Sequence, residues 1–335
     1  MSQTADPILR LEHLKVYYPQ RDGVFSRIKK YVKAVDDVSL DIFSNETLGL
    51  VGESGCGKST IGRAVMHLEE ASAGKIIFEG ENISGYSRSQ MRPVWKRMQM
   101  IFQDPYSSLN PHKTVGNTLE EMLLVHHVVP RSSIDSEINR ILSLIGLNPG
   151  VKGRFPHEFS GGQRQRISIA KALTMRPKLL ICDEAISALD VSIQAQILEL
   201  FKSLQGKLGL TYLFIAHGLG AVKYISDRIA VMYLGKIVEL APTELIFADP
   251  RHPYTQALLS AYPVPNPRSR NRKRIVLSGQ VPSPSDAPSG CRFRTRCPFA
   301  QNICAQEEPE LKDSEGHSSA CHFTIRREDW KGETA

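Results

Sequence analysis

Gly52-Glu53-Ser54-Gly55-Cys56-Gly57-Lys58-Ser59-Thr60, entered from the apolar run Leu48-Gly49-Leu50-Val51, is the stretch that decides the fold. Its pattern, G-x-x-x-x-G-K-[ST] after a strand and before the helix-forming run Thr60 to Leu68, is a phosphate-binding loop in the context that loop needs. Gly52, Gly55 and Gly57 let backbone N–H groups turn inward around a β-phosphate. Lys58 is placed to reach the β- and γ-phosphates, and the Ser59 hydroxyl can hold Mg²⁺. The chain is therefore expected to bind a nucleoside triphosphate, with residues 52–60 as the cradle.

About a hundred residues later, Phe159-Ser160-Gly161-Gly162-Gln163-Arg164-Gln165-Arg166 runs into the amphipathic Ile167-Ser168-Ile169-Ala170-Lys171-Ala172-Leu173. Ser160 reads as an N-cap, and the bare amides of Gly161 and Gly162 face outward at a helix start, a second place for a phosphate. Two such sites in one chain point to head-to-tail pairing of two copies of the module. Further on, the apolar Leu179-Leu180-Ile181-Cys182 ends in Asp183-Glu184. That order puts one carboxylate near Mg²⁺ and the next where it can polarise an attacking water.

Together these segments resemble the ABC transporter ATPases, in which two nucleotide-binding domains sandwich ATP between one P-loop and the partner's signature. The signature would be Ser160, Gly161, Gly162 and Gln163. The resemblance implies an α/β fold, with a RecA-like parallel sheet core, an antiparallel β subdomain and a helical subdomain. It also implies ATP hydrolysis with Asp183 as Mg²⁺ ligand and Glu184 as general base. Ser187-Ala188-Leu189-Asp190 would be the D-loop and His217, after Tyr212-Leu213-Phe214-Ile215-Ala216, the switch histidine. Gln103, after Met98-Gln99-Met100-Ile101-Phe102, would sense Mg²⁺ and water, and Tyr18 would stack on adenine. Ala185 replaces the proline usual after the glutamate, leaving both carboxylates in place. Gly218 replaces the aspartate usual after the histidine, which is expected to loosen that loop and slow turnover.

With 335 residues, 41% of them apolar, the chain is long enough for a large core. No run approaches the roughly 18 to 20 apolar residues that span a bilayer, and the start Met-Ser-Gln-Thr-Ala-Asp-Pro is not a signal peptide. A cytosolic chain is expected, at the cytoplasmic face of the plasma membrane and peripheral, as the resemblance implies. The formal charge of +7 is concentrated in Arg268-Ser269-Arg270-Asn271-Arg272-Lys273-Arg274 and in Arg27, Lys29, Lys30 and Lys33. Both clusters read as solvated loops, with contact to anionic lipid headgroups as the alternative. They lack interleaved aromatics, and the chain carries neither a sustained heptad pattern nor a second cassette, so no nucleic acid partner is expected.

Along the chain, Ile8 to Phe43 reads as β-rich with an insertion around Tyr18 to Tyr31, and Gly74 to Gly80 as a further strand. Ile134, Ile138, Ile141, Leu142 and Ile145 mark one helix face, with Ser132-x-x-Asp135 as a capping-box-like start. A helical subdomain at about 104–176 is expected inside a nucleotide-binding domain of 1–245, with Gln103 to Pro111 the docking edge for a membrane partner. Beyond that, Pro242, Pro250, Pro253, Pro263, Pro265, Pro267, Pro282 and Pro284 break the chain into short pieces, an added region at 246–335.

Within this extension, Arg251-His252-Pro253-Tyr254-Thr255-Gln256-Ala257-Leu258-Leu259 and Leu277-Ser278-Gly279-Gln280-Val281-Pro282-Ser283-Pro284 are similar to the tail of dipeptide and oligopeptide permease ATPases. The resemblance is to the second ATPase of such importers. It implies a homologous partner ATPase in a heterodimer, two transmembrane permease subunits and an extracytoplasmic solute-binding protein. Nickel and other peptide-like importers share much of the tail, and a low-turnover regulatory cassette and a nucleic-acid-associated ABC ATPase are the other readings. Cys291, Cys297, Cys304 and Cys321 cluster here, which in a reducing compartment suggests metal thiolates. Their wide spacing suits four-thiolate iron–sulfur at least as well as zinc, and unligated thiols remain open. In the subfamily the matching cysteines are associated with a [4Fe–4S] cluster.

Overall fold

The structure, a computed structural model, describes residues 6–22, 27–104, 108–261, 275–323, 325 and 330. Two sheets organise it. An eight-stranded sheet holds five adjacent parallel strands, β9 (Arg228–Tyr233), β3 (Thr47–Val51), β8 (Thr211–Ile215), β7 (Leu179–Asp183) and, at the edge, β6 (Met98–Ile101), in that order. Strand β10 (Lys236–Pro242) pairs antiparallel to β9 and continues the sheet. The smaller sheet is antiparallel, in the order β2 (Arg27–Ile42), β1 (Leu9–Asp22), β4 (Ala73–Phe78) and β5 (Glu81–Asn82).

The central strands are apolar on both faces because both faces are covered. The two-residue period sends Leu179, Ile181, Leu213 and Ile215 toward a core shared with the antiparallel sheet and α1 (Lys58–Val65). Leu180, Cys182, Tyr212 and Phe214 face a second core, built largely from helices. Into that core run α3 (Val115–Val125), α4 (Ile134–Leu144), α5 (Gly161–Leu173), α6 (Val191–Leu208) and α7 (Leu219–Ile225), while α2 (Arg88–Arg97) packs on the first. No helix among the described residues is long and apolar enough to cross a membrane.

The long β1/β2 hairpin corrects the expected insertion at Tyr18 to Tyr31, since strand pairing continues from Tyr18↔Val32 through Gln20↔Lys30 to Asp22↔Arg27. Lys30 and Lys33 are consequently strand residues, not loop ones, and pair with Asp286 and Asp36. The cluster Arg268 to Arg274 lies outside the described residues, as do positions 105–107 of the expected docking edge. The expected apolar face is there, with Ile134, Ile138, Ile141 and Leu142 buried on α4 and Ile145 just beyond it. Its start is different. Ser133 precedes the helix without a side-chain cap, and Asp135 pairs with Lys152 rather than closing a capping box.

The extension is woven into the ATPase sheet. After α8 (Thr243–Ala248) and α9 (Pro253–Ala261), α10 (Asn302–Gln306) leads to the hairpin β11 (Lys312–Ser314) and β12 (His317–Ser319), whose second strand pairs with β10 at Glu239↔Ser319. Glu239 sits wholly buried at this seam, accepting from the Arg251 and His252 backbone N–H groups (2.7 and 3.0 Å) with His317 Nε2 2.6 Å away.

Candidate functional site

The C-terminal ends of parallel strands are where an α/β sheet gathers ligand-binding groups, because the loops there open between helices. Strand β3 delivers the P-loop and β7 delivers Asp183 and Glu184. Strand β8 delivers His217 two residues past its end, and β6 delivers Gln103 likewise. The register Ile101↔Cys182 and Asp183↔Ile215 keeps these ends side by side.

The P-loop wraps onto α1 through Gly57, whose φ of +108° is left-handed. A Cβ there would stand 2.0 Å from the Ala34 carbonyl oxygen, so both conformation and space require glycine. Lys58 is almost wholly buried, and its ammonium donates to the carbonyls of Gly52 (2.9 Å) and Glu53 (3.0 Å). That arrangement satisfies a charge which would be costly to bury alone.

Ser59 Oγ donates to Asp183 Oδ1 at 2.6 Å, joining two groups 124 residues apart. Burial raises the Asp183 pKa, and the Ser59 hydrogen bond works against that rise, as do the charges of Arg63 and Lys58. Glu184 has φ +52°, a left-handed value held by its N–H donating to the Ile215 carbonyl at 2.9 Å. From there its carboxylate meets His217 Nε2 at 2.6 Å. Ala185 is buried. Gly218 has an ordinary extended backbone (φ −85°, ψ 114°) and begins α7, so no left-handed conformation demands glycine there.

Tyr18 lies half-buried on β1, its hydroxyl facing Thr60 and Glu69, and burial raises its pKa. Gln103 is exposed just beyond β6. Ser160 caps α5 as expected. Its hydroxyl accepts from Gln163 N–H (3.4 Å), and Gln163 Oε1 accepts from Ser160 N–H (3.1 Å). At Gly162 a Cβ would come within 2.5 Å of Ile193 on α6, so the signature helix and α6 touch through this glycine. In the segment expected to be the D-loop, the Ser187 hydroxyl donates to the Glu184 carbonyl at 2.9 Å. Among the described residues, no hydrogen bond or ion pair links Ser160 to Gln163 with the chain's own P-loop.

Two contacts to the P-loop were not foreseen. Glu53 N–H donates to the Tyr254 hydroxyl (2.8 Å), and Arg296 grips the Glu53 carboxylate with both terminal nitrogens (2.8 and 3.2 Å). Tyr254 lies in a segment that serves in the sequence only as a subfamily marker. Separations of 201 and 243 residues leave no local signal to find.

Cys291, Cys297, Cys304 and Cys321 line one small cavity of about 10 Å³ with His252, Phe293 and His322. Burial, and then the neighbouring thiols, push Cys291 up to about 11 and Cys297 up to about 12. The donor set fits a four-thiolate group in kind. Among the described residues, however, no three His, Cys, Asp or Glu side chains stand together at metal-holding positions.

Residues 35–187 match the family model described as ABC transporter, and residues 238–304 that described as oligopeptide/dipeptide transporter, C-terminal region. The chain is 50% identical to the oligopeptide transport ATP-binding protein AppF of Bacillus subtilis, over 95% of this chain and 98% of that protein. It is 48% identical to OppF of Salmonella typhimurium, covering 94% and 95%. Among solved structures, cbiO1 from Clostridium perfringens, part of the ABC transporter complex cbiONQ, aligns with a TM-score of 0.63 at 28% identity, covering 72% of this chain and 91% of cbiO1. With its P-loop, its Asp183–Glu184 strand end and its C-terminal region all in one molecule, the chain belongs to the ABC transporter ATP-binding proteins, in their oligopeptide-transport branch.

Proposed function

We propose that this chain is the ATP-hydrolysing subunit of a membrane importer for oligopeptides or dipeptides. The observation that carries the ATPase part is the convergence of Lys58, Ser59–Asp183 and Glu184–His217 at the ends of three neighbouring strands. The solute class is supported by the relatives' names and by the match at residues 238–304.

ATP joins two cassettes, each composite site taking its P-loop, Asp183, Glu184 and His217 from one chain and Ser160, Gly161, Gly162 and Gln163 from the other. Lys58 exchanges its carbonyl partners for phosphate oxygens, and Tyr18 offers its ring to the adenine. Glu184 orients water for in-line attack on the γ-phosphate while His217, hydrogen-bonded to it, contacts the γ-phosphate. Mg²⁺, held by Ser59 and Asp183 and sensed by Gln103, would offset the developing charge. Closure pulls on two permease subunits at the edge near Gln103, and phosphate release reopens the pair. The partner cassette is a homologue, a binding protein supplies solute from outside, and the chain sits peripherally on the cytoplasmic face.

Residues 1–245 form the cassette, with its helical subdomain at about 104–176, and 246–335 the importer extension. There Cys291, Cys297, Cys304 and Cys321 would hold a [4Fe–4S] cluster in a structural role; the gathering of all four thiols around one cavity supports the ligand set, while a cavity of about 10 Å³ would have to widen to take the cluster. Iron and acid-labile sulfide in anaerobically purified protein would bear this out, and zinc alone would overturn it.

The test of the whole reading is Glu184→Gln in the complex with permease partners in lipid. ATP should still bind, the two cassettes should stay closed, and peptide-stimulated turnover should vanish. Undiminished turnover would refute the assigned base.

A further inference from the structure

The P-loop is braced from outside the cassette. Residues 291–297 form a tight loop bounded by two of the cysteines, with Phe293 buried against both Tyr233 and Tyr254 and an arginine on either side. Arg292 reaches Asp36 and the Leu234 carbonyl. Arg296, whose side chain is only 8% exposed, lies over the Tyr233 ring and takes the Glu53 carboxylate in a two-pronged grip. Burial opposes its charge, yet the hydrogen bond and the charge of Glu53 hold the guanidinium pKa above its usual value. From α9, the fully buried Tyr254 accepts the Glu53 N–H, and next to it Gly235 N–H donates to the Cys56 carbonyl at 2.9 Å.

Glu53 is the second residue of a loop that must receive a highly anionic triphosphate. An unpaired carboxylate at that place repels the ligand, and in a partly desolvated site the repulsion is poorly screened. A planar guanidinium engaging both oxygens cancels that charge and fixes its direction.

We propose that Arg296 and Tyr254 are positioning residues for nucleotide binding, so that the C-terminal extension sets the affinity of the P-loop for MgATP through Glu53. The inference rests on the nucleotide-site reading above and adds a partner to it. The extension, otherwise remote from hydrolysis, becomes a determinant of KM, and any change that undocks residues 291–297 lowers nucleotide affinity before it alters chemistry.

Equilibrium binding of MgAMP-PNP to the full chain by calorimetry, with ATP turnover alongside, decides it. Arg296→Met should raise Kd and KM about tenfold, from repulsion between the triphosphate and one uncompensated carboxylate, while kcat stays within about twofold. Adding Glu53→Gln to Arg296→Met should return Kd to within about twofold of the unmodified chain, because the unpaired charge is gone. A role confined to holding the fold together would instead lower the melting temperature of the nucleotide-free Arg296→Met chain in step with its affinity. Arg296→Lys should fall between, and Tyr254→Phe should raise Kd about threefold by leaving the Glu53 N–H without its acceptor. Unchanged Kd in Arg296→Met, or no rescue by Glu53→Gln, overturns the proposal. If Arg296→Met does not fold, Arg296→Lys decides alone, and the unmodified affinity there overturns it. Failure of the unmodified chain to bind MgAMP-PNP would refute the nucleotide site itself.

Discussion

Phe293→Ala tests how firmly the extension is seated on the cassette. The ring is 1% exposed, and its centroid lies 5.3 Å from Tyr233, 5.5 Å from Tyr254 and 5.7 Å from His252. Burying such a side chain is worth about 1.5–3 kcal/mol by transfer alone, and the cavity left by truncation raises the cost to about 3–5 kcal/mol. Because the stability of a domain is only about 5–15 kcal/mol, this loss should open the extension locally before the cassette unfolds. Phe293→Leu keeps much of the volume but forfeits the edge-to-face contact with Tyr233, worth about 0.5–1.5 kcal/mol. Urea unfolding followed by tryptophan fluorescence separates the two parts of the molecule. Trp330 belongs to the extension, its indole N–H donating to Gln256, whereas Trp95 donates to the Met66 carbonyl beneath the antiparallel sheet. The Trp330 transition should move to lower urea and the KM for MgATP should rise with it. A loss under about 1 kcal/mol, or a large loss with KM unmoved, would refute the claim that the aromatic cluster seats the P-loop brace.

Two further outcomes follow from the geometry. Glu137, nearly buried on α4, accepts from Arg140 (2.9 and 2.8 Å) and Arg176 (3.1 Å), and the Arg140 hydrogen bonds lead in lowering its pKa. A carboxylate with a lowered folded-state pKa stabilises fully above its ordinary value of 4.5 and loses that contribution as pH falls through the lowered one. Glu137→Gln should thus cost about 1 kcal/mol at pH 7, discounted because both arginines are half-exposed, with the difference vanishing in acid; a constant difference across pH would contradict the charge pairing. Gly218→Asp has room, nothing lying within 4 Å of where its Cβ would stand, and aspartate caps helices better than glycine by a few tenths of a kcal/mol. Turnover should rise as the loop carrying His217 stiffens; unchanged or lower turnover would mean that Gly218 is not what limits it.

Much of the nucleotide site is legible in the sequence because its signals are local. A P-loop, a strand ending in two acidic residues and a capped Ser160-Gly161-Gly162 helix start are each written within ten residues, and the strands that carry them appear where their apolar runs lie. Elsewhere a local pattern has competitors. The polar stretch from Tyr18 to Tyr31 reads as an insertion, yet β1 and β2 pair through most of it because backbone hydrogen bonding tolerates polar side chains on an exposed hairpin. At Ser132-x-x-Asp135 the capping pattern loses to Lys152, which draws Asp135 away.

Local motifs suffice to show that the chain binds a nucleotide phosphate, which strand ends carry the acidic and histidine groups, and that a proline-broken, cysteine-bearing tail follows. It takes the packed chain to show that Ser59 meets Asp183, that Glu184 meets His217, and that Tyr254 and Arg296 close on Glu53. The reason is physical. A motif is set by the backbone conformation of neighbouring residues, whereas a contact across two hundred residues depends on sheet order and on which surfaces pack, and no short window of sequence contains either.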